Sequence, residues 1–130
     1  MKTEYDIMAE KFLSDNNTKM RITFDQKEQV NDGRTLINRY KVSISRNGKR
    51  MNVLFHDSIY NTMMGIKPTE YDVLACLQKS NPGTFEDFCS EFGYNPDSIR
   101  DFNTYKAVCR EWKKVERVFG DILDKLAVIQ

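Results

Sequence analysis

The sequence has few of the residues from which metal sites and disulfide frameworks are built. Its 130 residues include three cysteines and a single histidine, His56. Cys76, Cys89 and Cys109 lack C-x-x-C spacing and lie among apolar residues at helical intervals, which predicts buried, reduced thiols. One histidine is too few for the ligand sets of most zinc sites or for an oriented catalytic triad. We therefore expect no disulfide, no metal and no cofactor.

The loops that cradle nucleotides or expose a nucleophile are absent too. The chain contains no G-x-x-x-x-G-K-[ST], no G-x-G-x-x-G and no G-x-S-x-G,. Cys89 with His56 is the one conceivable pair of nucleophile and base, and a core role for Cys89 is the favoured alternative. Adjacent carboxylates such as Glu86 and Asp87 point to different sides of a helix. The sequence thus predicts a protein that is not an enzyme.

Long hydrophobic runs are also missing. No apolar run approaches the ~18 residues that a membrane span requires, and the mean hydropathy is −0.61,. Residues 1–6 lack the apolar stretch of a secretory signal, so we expect the chain to stay in the compartment where it is made and to have no membrane partner. With 12% aromatic residues, the chain is expected to fold as one domain over residues 1–130,.

Periodicity predicts an α+β domain. A three-stranded antiparallel meander is packed on one face by an N-terminal helix and several C-terminal helices. The N-terminal helix is assigned to residues 1–17, the sheet to 18–56 and the helical part to 57–130. The polar stretch from Asp25 to Arg34 predicts a loop within the sheet region.

One turn specifies the register of the sheet. Asn47-Gly48 is typical of a two-residue type I′ hairpin, because both central positions need positive φ. The turn places Tyr40 opposite Phe55 and collects the apolar residues of both strands on one face. Phe24 of the first strand is predicted to join them in the core.

Start and stop signals divide the helical part. Thr69 and Thr84 stand where an N-cap is expected, with Asp72 and Asp87 three residues later. The apolar residues of 59–64 are compatible with a short helical turn, and Met63-Met64 suits an interface as well as the core.

The C-terminal part begins with a further start signal. Asn95-Pro96 predicts the beginning of a long helix that ends near Phe119. Gly120 is its expected C′ residue, and Asp121 is expected to cap a terminal segment.

The nearly balanced charge, 20 lysines and arginines against 19 acidic residues, conceals segregation along the chain. Residues 18–56 carry nine basic and three acidic residues, residues 69–101 carry two and seven, and residues 102–119 carry five and two. Opposed charge regions steer encounters with charged partners, so this segregation is the main functional signal in the sequence.

Two sets of candidate partner-binding residues follow. The acidic set, on the middle helices, comprises Glu70, Asp72, Glu86, Asp87, Glu91 and Asp97. The basic set, on the open sheet face and the outer face of the last long helix, comprises Arg21, Arg39, Lys41, Arg50, Lys106, Arg110, Lys113, Lys114 and Arg117. Each set also has a simpler interpretation. Acidic residues are favoured near helix N-termini, and basic residues often only form a solvent-exposed surface or prevent one sheet from stacking on another.

Three segments carry a resemblance. The first is G-I-K-P-T-E-Y-D-V-L-A-C-L at 65–77, the second P-G-T-F-E-D-F-C-S-E-F-G-Y at 82–94, and the third T-Y-K-A-V at 104–108. Together they resemble a family of small proteins encoded by phages and prophages of Firmicutes, over roughly residues 40–119. The resemblance supplies no catalytic motif. It implies a phage accessory protein that acts in the cytoplasm of a bacterial host.

Small phage proteins without chemistry usually act by occupying a surface of something larger. The leading hypothesis is therefore an inhibitor or modulator of a host protein or ribonucleoprotein that handles nucleic acid, such as an anti-CRISPR protein on a Cas effector. Either the acidic helices substitute for phosphates or the basic sheet contacts guide RNA or an acidic protein patch. The alternative is a replication or recombination accessory that binds DNA directly through the basic sheet face.

Overall fold

The fold is an N-terminal helix, an antiparallel sheet and a helical second half, as predicted. A computed structural model describes residues 2–31 and 33–129. In chain order the elements are α1 (Glu4–Asp15), β1 (Thr18–Val30), β2 (Thr35–Arg46), β3 (Lys49–His56), α2 (Ile59–Met64), α3 (Glu70–Gln78), α4 (Phe85–Phe92), α5 (Ile99–Phe119), a 3-10 turn (Gly120–Ile122) and α6 (Leu123–Leu126). The strand order is β1-β2-β3 with both pairs antiparallel, which confirms the α+β meander.

The hairpin between β2 and β3 has the predicted register. Tyr40 pairs with Phe55, and Arg46 pairs with Lys49 at the turn. Asn47 and Gly48 adopt φ of 50° and 81°, the left-handed values that a type I′ turn requires,. The prediction succeeded because a one-residue slip would move every apolar side chain to the opposite face.

The predicted loop from Asp25 to Arg34 is wrong. β1 continues to Val30 and pairs with β2 as far as Thr35, after a register shift between Phe24 and Gln26. The strands are polar there because they extend past the end of β3 as a two-stranded arm, so apolar alternation is not needed. Gly33 has φ of 81° in the tight turn that closes the arm, while Asp32, part of the predicted loop, lies outside the described residues.

Side-chain caps begin five helices, α1 to α5, and those of α3 and α4 are the predicted threonines. The Thr3 and Thr69 hydroxyls accept from the backbone N–H three residues on, and aspartates at those positions return the bond. The Thr84 hydroxyl accepts the Asp87 N–H at the start of α4. Such a cap is worth about 1 kcal/mol.

The start of α5 is displaced from the prediction. Asn95-Pro96 does not begin the helix, because the Asn95 side chain instead accepts the Asp97 N–H in a turn. The helix begins at Ile99, with Ser98 as the N-cap whose hydroxyl accepts the Asp101 N–H at 3.2 Å.

The core lies between one face of the sheet and the helices. Its most completely buried large side chains are Phe119, Ile44, Leu74, Leu126, Val42, Val73, Val115 and Val118. Phe24 on β1, which was expected in the core, is exposed instead, and so are Tyr5 and Met8 on α1 and Phe92 on α4. Cys76 is exposed as well, whereas Cys89 is buried, and all three thiols are free.

The C-terminal end differs from the prediction in two respects. Gly120 has φ of −54° and is not left-handed, so the chain passes directly from α5 into the 3-10 turn and α6. Asp121 makes no cap. Its carboxylate instead accepts two hydrogen bonds from the Arg46 guanidinium, at 2.6 and 2.9 Å.

Arg46 is the one buried arginine among the described residues, and it joins three elements. Its Nε donates to the Asn16 carbonyl at 3.1 Å, just after α1, and its Nη1 donates to the Val118 carbonyl of α5 at 2.9 Å. Arg46 is only 7% exposed, and the two further bonds to Asp121 give its remaining guanidinium nitrogen, Nη2, an acceptor as well. The bidentate pair lowers the pKa of Asp121 from 3.8 to about 2.

We expect Arg46→Met to lower the free energy of unfolding by roughly 2–4 kcal/mol, because two backbone carbonyls lose their donor and an ion pair is removed. Urea denaturation followed by circular dichroism measures the change. Arg110→Met, on the exposed outer side of α5, is the control and should change stability by about 0.5 kcal/mol or less,.

Acid titration provides a second check of the same contact. Because folding lowers the pKa of Asp121, the pair stabilises the protein above pH 3.8 and this contribution is lost as the pH falls toward about 2,. The Arg46→Met variant should therefore lose less of its free energy of unfolding than the wild type does over the same fall in pH. Equal stability and equal acid profiles for the variant and the wild type would contradict the role assigned to Arg46.

Candidate interaction surfaces

The face of the sheet that the helices leave uncovered is a basic and polar array. Residues directly opposite one another on the three strands form rows across this open face: Lys19, Ser45 and Arg50; Arg21, Ser43 and Asn52; Thr23, Lys41 and Leu54. Neighbouring strands lie about 4.8 Å apart, so the cations, the hydroxyl groups and the Asn52 amide of these rows lie close to one another on the open face. Arg21, Lys41, Asn52 and Leu54 contribute to a shallow groove of about 380 Å³ on this face.

One end of the open face is electrically neutralised. Asp25 lies at the register shift, and its Oδ2 accepts from Arg39 Nε at 2.8 Å. Lys41 Nζ is 3.5 Å from the same carboxylate. Glu28 approaches Arg39 at 3.7 Å and His56 Nε2 at 2.9 Å. The Arg39 guanidinium, aided by Lys41, lowers the pKa of Asp25 and holds it ionised.

The remaining cations of the open face are free to contact a binding partner. Arg21 and Arg50 are exposed, and no carboxylate of the described residues contacts their guanidinium groups. The Lys41 side chain is 70% exposed despite its distance of 3.5 Å from Asp25. Of the four residues expected on the basic sheet face, Arg39 is therefore the least suited to bind a partner.

The basic stripe of α5 meets the sheet at the β3 edge. Arg117 donates from Nη2 to the Arg50 carbonyl, which brings the stripe next to the open-face cations. Arg110 and Lys113 are exposed, whereas Lys114 pairs with Glu111 at 3.1 Å and Lys106 lies over the Phe102 ring at 5.6 Å. No local pattern indicates that Arg117 contacts the sheet, because that contact links residues 67 positions apart.

The acidic residues are spread over different parts of the helical half. Glu70 and Asp72 lie in the first turn of α3, which packs against α1. Asp72 is engaged in the capping box with Thr69, and burial is the main cause that raises the pKa of Glu70. The exposed acids Glu86, Asp87 and Glu91 lie on α4, which packs against α5, and Asp97 lies in the turn before α5.

The helix α2 carries an exposed apolar surface, of which the sequence indicated only that Met63-Met64 suits an interface as well as the core. None of the six described residues of α2 is buried. Tyr60 is 65% exposed, Met63 79% and Met64 60%, and the neighbouring Ile66 is 44% exposed. The helix is held from its polar side, where the Thr62 hydroxyl accepts the Asn38 N–H at 3.0 Å. We call Tyr60, Met63, Met64 and Ile66 the α2 patch.

The pair considered for nucleophilic chemistry has other contacts. His56 lies at the end of β3 beside Glu28, whereas Cys89 is buried in α4, where desolvation raises the pKa of its thiol. A raised thiol pKa reduces the thiolate that acts as nucleophile. The described residues contain no group of three or more His, Cys, Asp or Glu that could hold a metal ion.

Comparison of the chain with protein families, curated proteins and solved structures found no match. The likeness to phage-encoded proteins stays a prediction from the sequence. Within residues 2–31 and 33–129, no helix has the length and apolar character needed to cross a membrane.

We expect Asp25→Asn to strengthen binding of the open face to polyanions, because it removes the carboxylate that neutralises Arg39 and Lys41. The variant should elute from heparin at a higher salt concentration than the wild type.

Asp124→Asn, which makes the same charge change at an exposed position of α6, is the matched control. It should shift the elution less. Equal shifts for the two variants would show that only net charge matters and would contradict the neutralising role of Asp25.

Proposed function

We propose that this protein acts without catalysis, as a phage-encoded accessory protein in the bacterial cytoplasm. It binds a host protein or ribonucleoprotein that handles nucleic acid and blocks it sterically. The specific form we favour is an anti-CRISPR protein that binds a Cas effector.

The α2 patch is the observation that carries this proposal. Monomeric proteins rarely expose adjoining large apolar side chains without a binding role, and such patches bind protein surfaces. Methionine suits this role because its flexible thioether adapts to the shape of a partner. A chain that only bound nucleic acid through phosphates would gain nothing from the exposed Tyr60, Met63 and Met64.

The basic open face complements the apolar contact. Arg21, Lys41 and Arg50 favour approach to guide RNA or to an acidic protein patch, and they raise the association rate in a salt-dependent way. Within the acidic set, Glu70 and Asp72 are the least suited to phosphate mimicry, because Asp72 caps α3 and Glu70 packs toward α1. Effector binding through the open face would block the path of nucleic acid without any chemistry.

The test is complex formation with purified Cas effectors of the phage host, each loaded with guide RNA, measured by size-exclusion chromatography and interferometry. We expect a stable complex, and we expect Met63→Glu to weaken it at least about tenfold by placing a charge in an apolar contact. Ile99→Glu is the matched control, since Ile99 is 78% exposed at the start of α5 and away from the α2 patch.

Two outcomes would contradict the proposal. One is the absence of a complex with every effector tested. The other is the recovery of nucleic acid alone when the tagged protein is purified from infected host cells with and without nuclease.

A second candidate function is direct DNA binding by the open face, as a replication or recombination accessory. The unpaired cations Arg21 and Arg50 favour it, because phosphate contacts need free Lys or Arg. The face offers no aromatic side chain for base stacking, which limits it to sequence-independent contacts,.

DNA binding predicts a salt-dependent affinity of the isolated protein for duplex DNA. The double variant Arg21→Glu with Arg50→Glu should abolish it, while Lys11→Glu on α1 should leave it nearly unchanged. If the wild type shows no binding at low salt by fluorescence anisotropy, this second candidate fails.

A further inference from the structure

The strand β1 forms an uncovered edge of the sheet. The strand order is β1-β2-β3, so β1 and β3 are the two outer strands. The β3 edge is partly covered, because Arg117 of α5 donates to the Arg50 carbonyl. Within residues 2–31 and 33–129, no group outside β2 makes a hydrogen bond with the backbone of residues 19–24. An edge of this kind offers its free N–H and C=O groups to a further strand.

The hairpin determines which backbone groups of β2 face each neighbouring strand. In an antiparallel pair, successive residues direct their N–H and C=O groups alternately to one side and the other. The two-residue turn makes Arg46 and Lys49 a hydrogen-bonded pair, so the even-numbered residues of β2 face β3 and the odd-numbered ones face β1,. The bond from the Asp57 N–H to the Asn38 carbonyl agrees with this alternation.

The same alternation shows which groups of β1 point away from the sheet. The residues of β1 that pair with the odd-numbered residues of β2 are Lys19, Arg21 and Thr23. Their backbone groups are bonded to β2, so the groups that point outward belong to the residues between and after them. We call these the β1 edge residues: Met20, Ile22 and Phe24.

The β1 edge residues lack the features that normally keep edge strands apart. Natural edges are protected by charged side chains, proline, a bulge or a covering element. All three edge residues are apolar, and residues 18–24 include no proline. The bulge comes only after them, between Phe24 and Gln26. Phe24 is 53% exposed, so its apolar surface is available to a second strand.

The edge is complementary to a second copy of itself. If two β1 strands pair antiparallel about Ile22, their outward groups face one another and form about six backbone hydrogen bonds. Phe24 of each copy then lies opposite Met20 of the other, and the two Ile22 side chains lie opposite each other. On the open face, Arg21 meets Thr23 of the second copy and Lys19 meets its Asp25. No like charges are opposed in this register.

The neighbouring registers are less favourable. Pairing about Arg21 would place two arginines opposite each other, and pairing about Met20 would place Arg21 opposite Lys19. Like charges directly opposite each other destabilise a strand pair. Pairing about Thr23 would leave Met20 opposite Gln26, whose backbone groups already bond to β2. Charge and backbone direction therefore favour pairing about Ile22.

We propose that two copies of this protein associate by antiparallel pairing of residues 18–24 of β1. The pairing joins the two sheets into one sheet of six strands. Because directly opposed residues lie on the same face, the two open faces become one continuous basic surface, with Arg21 of both copies close to the two-fold axis. The proposed function neither names nor requires this assembly.

The first experiment is sedimentation equilibrium of the full chain over about a hundredfold range of concentration, and we expect a reversible equilibrium of monomer and dimer. Amide hydrogen exchange measured by NMR then locates the interface. The N–H groups of Met20, Ile22 and Phe24 should become protected as the dimer forms. Those of Arg21 and Thr23 should be protected in the monomer as well, because they bond to β2.

Opposite charges at one exposed position test the register. Thr23→Glu places a carboxylate opposite Arg21 of the second copy and should lower the dimer dissociation constant about threefold. Thr23→Arg places a like charge there and should raise it by about the same factor. Asn52→Glu and Asn52→Arg, on the same face at the far strand β3, are the matched controls for net charge and should change it less.

A charge on the apolar side of the edge provides a second test. Phe24→Lys should weaken the dimer at least about tenfold, because it places an ammonium opposite Met20 of the second copy. Leu54→Lys is the control, since Leu54 is 50% exposed on β3, away from the β1 edge. It should leave the dimer nearly unchanged.

Three results would overturn the proposal. The chain could stay monomeric at the highest concentration, or a dimer could form without new protection at Met20, Ile22 and Phe24. The third is an equal change of the dissociation constant by Thr23→Glu and Thr23→Arg. These measurements use the isolated protein and no effector, so this proposal and the proposed function fail independently.

Discussion

The arrangement of this protein depends on the buried guanidinium of Arg46. It lies at the end of β2 and donates to acceptors just after α1, at the end of α5 and on the 3-10 turn. An apolar side chain there would leave the Asn16 and Val118 carbonyls without a donor. A lysine ammonium is a single point, so it could not donate to acceptors that lie on different sides of the side chain. This contact holds the N-terminal helix, the hairpin turn and the C-terminal helices to one another on the face of the sheet that carries the apolar side chains.

Coverage of one face determines the surfaces available for function. The opposite face keeps exposed cations at Arg21 and Arg50, while the α2 patch arises because α2 is attached to β2 through its polar side. The two surfaces suit different contacts, one with phosphate or acidic groups and one with apolar protein surface. Their combination on a small chain favours a partner that contains both protein and nucleic acid.

Local sequence patterns predicted much of the fold and only part of the candidate surfaces. The Asn47-Gly48 turn and the Thr69 and Thr84 caps depend on residues within a few positions of one another, so a local sequence pattern can predict them. The arm beyond Phe24 was missed because its strands extend past β3 and carry no apolar alternation. Arg39 was counted as a free cation because its neutralisation by Asp25 acts across two strands.

The sequence by itself determined the α+β class, the hairpin register and the starts of α3 and α4, since period, turn conformation and capping are short-range properties. Only the tertiary structure decided that Arg46 is buried, that Arg117 reaches the Arg50 carbonyl, and that Asp25 neutralises Arg39. Each of these depends on groups from different elements meeting at hydrogen-bond distance. Such meetings follow from how the helices pack on the sheet, which no local pattern encodes.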